Sequence, residues 1–155
     1  MHVSHSNKTL QALGKLLMIR HPQVAKDLYD SYLADQPTDS DYTRIGCYYQ
    51  KFCGIMGIHE DHCRGALFKH SRSELRRLFI SCMLRLYNPA VYRQPDSCLI
   101  NPQGLVKQLA EVLCVAAPRV SEAIRQAVAE ERIYERYREK VDKIVERIKA
   151  NSYGS

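Results

Sequence analysis

Residues 101–126, NPQGLVKQLAEVLCVAAPRVSEAIRQ, decide how this chain is read. Asn101 suits a helix cap and Pro102 the first helical position, where a missing N–H costs nothing. Leu105, Leu109, Val112 and Leu113 recur at helical spacing while Lys107, Gln108 and Glu111 fall on the other side, so one face seeks a core. The run Cys114-Val115-Ala116-Ala117 ends at Pro118, whose ring and missing N–H resist one unbroken helix. A second helix is therefore expected from about Pro118. Val120, Ala123 and Ile124 form its inward face, and Arg119, Ser121, Glu122 and Arg125 point outward.

Two short helices joined by a tight turn, with the small Ala110 where their backbones approach, amount to helix-turn-helix geometry. The pattern A-x-x-L-x-V-x(4)-V-S-x-A-I, carried by Ala110, Leu113, Val115, Val120, Ser121, Ala123 and Ile124, resembles the DNA-binding helix-turn-helix superfamily. The resemblance spans about Leu105 to Ala127. It implies that the second helix enters the major groove, with Ala116, Ala117, Arg119, Ser121, Glu122 and Arg125 as candidate base readers. The family usually has glycine where this chain has Cys114, and a non-glycine residue in a left-handed turn costs about 1–2 kcal/mol. Either the turn differs from the family's or the motif is a structural relic. An ordinary helical hairpin, or a partner-binding use of the same shape, fits these residues too.

The rest of the chain supplies context. Its 155 residues suffice for one domain, or for two small lobes sharing a core. Hydrophobic residues at 45% and charged residues at 26% give a globular rather than a disordered composition. Ten tyrosines and no tryptophan predict rings packed at the edge of the core with their hydroxyls near water. The net charge of +6 is concentrated: between Arg64 and Arg85 six cations face Glu74 alone, a local +5. Such a patch favours polyanions by counterion release. Arg72, Arg76, Arg77 and Arg85, with Lys107 from the quoted stretch, are the candidate phosphate contacts; an acidic protein docking on this basic face is the alternative.

Before residue 60 three amphipathic helices are expected. Leu10, Leu13, Leu16 and Leu17 stripe the first, with Asn7 as cap; Ala25, Leu28, Tyr29 and Tyr32 stripe the second after Pro22. Ile45, Tyr48, Tyr49, Phe52 and Ile55 stripe the third, capped by Thr38, Asp39 or Ser40. Gly54, Gly57 and Gly65 mark a looser connection, dividing the chain into an N-terminal lobe (1–60) and a helix-turn-helix lobe (61–155) within one compact unit. Ser71 and Glu74 have capping-box spacing at the head of a helix in which Leu75, Leu78, Phe79, Cys82, Met83 and Leu86 make one broad buried face. Residues 88–101, including Asp96-Ser97, read as an irregular linker with one turn at Ala90 to Arg93.

Beyond Gln126 no stop is evident, so a long terminal helix follows. Its Tyr137, Val141, Ile144 and Ile148 form a seam for a homodimer contact or for the chain's own N-terminal helices. The order of basic helix, helix-turn-helix and trailing charged helix is similar to the DNA-binding domain of bacterial replication initiators, in arrangement only.

Catalytic and metal patterns are missing. Cys47, Cys53, His59, His62, Cys63 and His70 are suitable ligand types, but their spacing lacks a C-x-x-C knuckle. Neither a phosphate loop nor a nucleophile elbow is present, so neither an enzyme nor a cofactor is expected. The N-terminal MHVSHSNKTL lacks a signal-peptide pattern and no stretch reaches transmembrane length. The expected compartment is cytoplasmic, with all six cysteines, Cys98 among them, as reduced thiols. The expectation is thus an all-α helical bundle with a C-terminal helix-turn-helix that binds duplex DNA, as a transcription-regulator-like or accessory protein.

Overall fold

The computed structural model describes residues 6–67, 69–95 and 99–153; residues 1–5, the Asp96-Ser97 part of the expected linker and Cys98 lie outside them. The described residues form seven α-helices and no strand: α1 (Asn7–Arg20), α2 (Pro22–Ala34), α3 (Ile45–Met56), α4 (His70–Tyr87), α5 (Gln103–Leu113), α6 (Ala117–Ile133) and α7 (Glu135–Tyr153). Short 3-10 turns lie at Tyr42–Arg44, Glu60–Cys63 and Pro89–Arg93, the last matching the turn expected inside the linker. The fold is all-α. None of the described helices is long and apolar enough to cross a membrane.

Contacts divide these elements into two units, Met1–Gln36 and Pro37–Ser155. The first is the hairpin of α1 and α2. Its corner is His21, whose N–H donates to the Leu17 carbonyl at 2.8 Å and whose carbonyl accepts from the Ala25 N–H at 3.0 Å. Pro22 then opens α2, where no donor is needed. Ser6 rather than Asn7 caps α1, its hydroxyl accepting from the Thr9 N–H at 3.3 Å. Neither helix contains a buried residue.

The second unit is built around α4. Leu78 through Leu84 are buried without interruption, followed by Leu86 and Tyr87. Where the spacing predicts one broad face, the helix is instead enclosed by α3, α6 and α7. Phe79 anchors it, with ring centroids 5.0 Å from Tyr49 and 5.3 Å from Phe52, both on α3. Helix α3 therefore belongs with the C-terminal elements, packing on α7, α5 and α4, and the units divide at residue 36/37 rather than near residue 60. Gly57, left-handed at φ 66°, closes α3 as a helix stop rather than linking two lobes. Tyr49 and Tyr87 lie within the core rather than at its edge with hydroxyls near water: Tyr87 donates its hydroxyl to the Asp41 carbonyl at 2.8 Å and Tyr49 donates to the Glu60 carbonyl, whereas Tyr29, Tyr32 and Tyr134 are exposed.

Helix starts differ in detail. Asp41, not Thr38, Asp39 or Ser40, caps the turn leading into α3, accepting from the Thr43 N–H at 3.0 Å and its hydroxyl at 2.6 Å. Because α4 begins at His70, Ser71 already lies inside the first turn and no capping box forms; Glu74 pairs with His70 Nε2 at 2.9 Å. The single terminal helix becomes two, broken at Tyr134 (φ −110°, ψ 108°). The inward residues of α6 (Val120, Ile124, Ala127, Val128, Glu131) and of α7 (Val141, Ile144, Val145, Ile148) are out of helical phase, so one continuous helix cannot bury both sets.

Candidate nucleic-acid interface

Helix α5 starts one residue later than expected, with Pro102 at its cap position, and Asn101 instead accepts from Asn88 Nδ2 at 2.9 Å. Leu105, Leu109 and Leu113 are buried. Gly104 fixes the seat of α5: a Cβ there would stand 2.9 Å from Cε2 of the Tyr42 ring. Cys114 ends the helix in the left-handed conformation (φ 55°, ψ 47°), the one non-glycine residue with positive φ among the described residues. That reversal lets the Val115 N–H reach the Ala110 carbonyl at 3.1 Å, satisfying a helix-end acceptor. Ala116 caps α6, and Pro118 sits in its first turn. Three residues, Cys114 to Ala116, thus separate two packed helices.

All six candidate readers, Ala116, Ala117, Arg119, Ser121, Glu122 and Arg125, are exposed. At about 100° per residue, however, they do not share one line. With Val120 and Ile124 inward, Glu122 lies near the middle of the outward arc, Arg125 and Ser121 on one flank and Arg119 on the other. Ala116, Ala117, Ser121 and Arg125 line a groove of about 1190 Å³, with Lys107 and Glu111 of α5 on its opposite wall. Arg119 lies on the α4 side, close enough to Arg76 for the two positive charges to repel.

Three of the five candidate phosphate contacts are directed inward instead. Arg76 donates from Nε to the Cys63 carbonyl at 2.8 Å and from Nη2 to the Gly65 carbonyl. Burial lowers its pKa, with Arg119 adding to the effect. Arg77 Nε lies 3.0 Å from Glu130. Arg85 reaches Glu131 at 3.1 Å and Asp142 at 2.7 Å, so that Glu131, Tyr92 and Asp142 outweigh the effect of burial and hold its pKa above the ordinary value. Arg64, also counted in the basic window, donates to the Val112 carbonyl at 2.9 Å and pairs with Glu60 and Asp61. The partners come from other elements up to 57 residues away, so the sequence window counted the cations without their counterions. Arg72, half-buried, and Lys107, exposed, are the two left facing outward.

The network Arg85–Glu131–Asp142 carries no motif and was not legible beforehand. Glu131 is buried at 2% exposure, and burial raises its pKa although Tyr92 and Arg85 favour the carboxylate. Ser81, buried in α4, shares a 2.8 Å hydrogen bond with the Tyr137 hydroxyl. Val141, Ile144 and Ile148 are 0%, 5% and 0% exposed within their own chain, which removes the α7 seam as a homodimer face. Of the candidate metal ligands, Cys53 and Cys63 are buried, whereas Cys47, His59 and His70 are exposed, and His59 Nδ1 accepts from the Asp61 N–H at 3.2 Å. Among the described residues no group of three His, Cys, Asp or Glu could hold a metal ion.

No family model, no curated protein and no solved structure matches this chain.

Proposed function

We propose that the protein binds duplex DNA through α6, as an accessory or transcription-regulator-like factor whose α5–turn–α6 segment acts as a helix-turn-helix. The observation carrying this reading is the outward arc of α6. The Arg119 and Arg125 side chains flank it with no intramolecular hydrogen bond or ion pair among the described residues, while those of Arg76, Arg77 and Arg85 are held internally. In this reading Arg125 and Ser121 reach base edges from the groove side, and Glu122 accepts from a cytosine amino group at the centre. Arg119, Arg72 and Lys107 meet phosphates. Ala116 and Ala117 offer methyl contacts.

Four cations against Glu111 and Glu122 leave this surface only +2. Salt dependence should therefore be shallow, with a slope of log K against log salt of about −3 for the three cations that meet phosphates. The competing occupant is an acidic protein, making the chain a helical interaction module; its expected basic docking face loses Arg76, Arg77 and Arg85 to internal partners. Fluorescence anisotropy with a labelled random duplex tests the proposal. Saturable binding displaced by unlabelled duplex but not by polyglutamate supports it, and no binding at low salt up to about 100 µM protein overturns it.

A further inference from the structure

We infer that the α1–α2 hairpin is a self-association module, pairing with the same hairpin of a second copy to close a four-helix bundle. It rests on the hairpin alone and stands whether or not α6 binds DNA. Ten large apolar side chains of α1 and α2, among them Leu13, Leu16, Leu28, Tyr29, Tyr32 and Leu33, are between 47% and 76% exposed, and neither helix has a buried residue. Two helices of 14 and 13 residues without a core are too short to persist on propensity alone; their apolar faces need a partner.

Two observations select a second copy as that partner. The uncovered side chains present on the order of 1,000 Å² of apolar surface, which exceeds the ~800 Å² that each side contributes to a standard interface. The body formed by Pro37–Ser155 offers no counterpart: its large exposed apolar side chains among the described residues are Ile100, Ile133 and Tyr134. The surface complementary to the hairpin is thus the hairpin itself, as a two-fold interface requires.

Charge then chooses the arrangement. Helix α1 carries Lys8, Lys15 and Arg20 with no acid, whereas α2 carries Asp27 and Asp30 against Lys26. With α1 and α2 alternating around a four-helix bundle, each neighbouring pair sets a basic helix against an acidic one; placing α1 beside its own copy would oppose like charges. A notch of about 280 Å³ between Met18, Pro22, Ala25, Lys26 and Tyr29 has room for a large side chain from the partner.

Sedimentation equilibrium of the full chain from about 1 to 100 µM, without DNA, tests the inference. The wild type should fit a monomer–dimer equilibrium. Leu13→Glu with Leu28→Glu should raise the dissociation constant about 100-fold or more, while the thermal unfolding midpoint of the body, which contains neither residue, and any duplex binding per chain stay unchanged. Amine cross-linking of mixed light and heavy-isotope chains adds an independent readout, with Lys15 of one copy expected to join Lys26 of the other. A monomer at every concentration, a dimer insensitive to the double substitution, or Lys15 cross-links confined to one chain would each overturn the inference.

Discussion

Cys114→Gly should stabilise the protein, and the size of the effect follows from the turn. A side chain at φ 55° places its Cβ against the following carbonyl, costing about 1–2 kcal/mol relative to glycine. Glycine gains more freedom in the unfolded chain, which returns about 0.5–1 kcal/mol. The thiol itself contributes little: Cys114 is exposed, and its Sγ makes one long contact to the Glu111 carbonyl at 3.7 Å. The net expectation is a gain of about 0.5–1 kcal/mol. Cys114→Ala keeps the Cβ and should lie near the wild type, and Cys114→Val, branched at Cβ, should lose about 1 kcal/mol more. Urea unfolding followed by circular dichroism gives the ranking, provided the m-value is constant across the series. If glycine is no more stable than alanine, the chain is not left-handed at residue 114 and the geometry of the α5–α6 turn given above is wrong.

Ile144→Ala should cost about 2–5 kcal/mol because the side chain is 5% exposed, and the loss should not depend on protein concentration, since the α7 seam is filled within one chain. Glu131 gives a pH signature: its pKa is raised in the fold, so its contribution to stability is largest when it is protonated and is lost as pH climbs from the ordinary 4.5 through the raised value. The stability of Glu131→Gln relative to wild type should therefore rise across that window and then level off; a pH-independent difference would contradict the assignment. Maleimide labelling of the native protein should modify the exposed Cys47 and Cys114 and spare Cys53, Cys63 and Cys82, which are buried; burial pushes the Cys63 thiol up to about 11. Rapid native labelling of Cys63 or Cys82 would show that the core opens there.

Helical period located the inward residues Leu105, Leu109, Leu113, Val120 and Ile124, and Pro118 the start of α6 to within one residue, because an amphipathic helix declares its buried face in a few turns of sequence and proline marks a helix start. It failed for α4, where Ile80, Ser81 and Leu84 are buried along with the predicted face: enclosure by three other helices is a long-range property. The break at Tyr134 lacks a proline or glycine and is visible only as a phase slip between two apolar stripes, detectable by fitting them separately. The grouping of α3 depended on reading Gly57 as a boundary, when it serves as a left-handed helix stop. At the candidate interface, exposure of Arg119, Ser121, Glu122 and Arg125 followed from the pattern. The fate of Arg76, Arg77 and Arg85 did not, because carbonyls and carboxylates of distant elements decide whether a guanidinium faces water.

The most direct measurement of the central claim is the affinity of wild type, Arg125→Ala, Arg119→Ala and Glu122→Gln for a duplex selected from a random pool and for an unrelated duplex, each across a salt series. Arg125→Ala should lose about 1–3 kcal/mol on the selected duplex and far less on the unrelated one. Arg119→Ala should weaken both alike and flatten the salt slope by about one, and Glu122→Gln should tighten the unrelated duplex while narrowing the gap between the two. Wild-type affinity for both duplexes in the folded Arg119→Ala and Arg125→Ala proteins would contradict the claim that α6 is the DNA-reading helix.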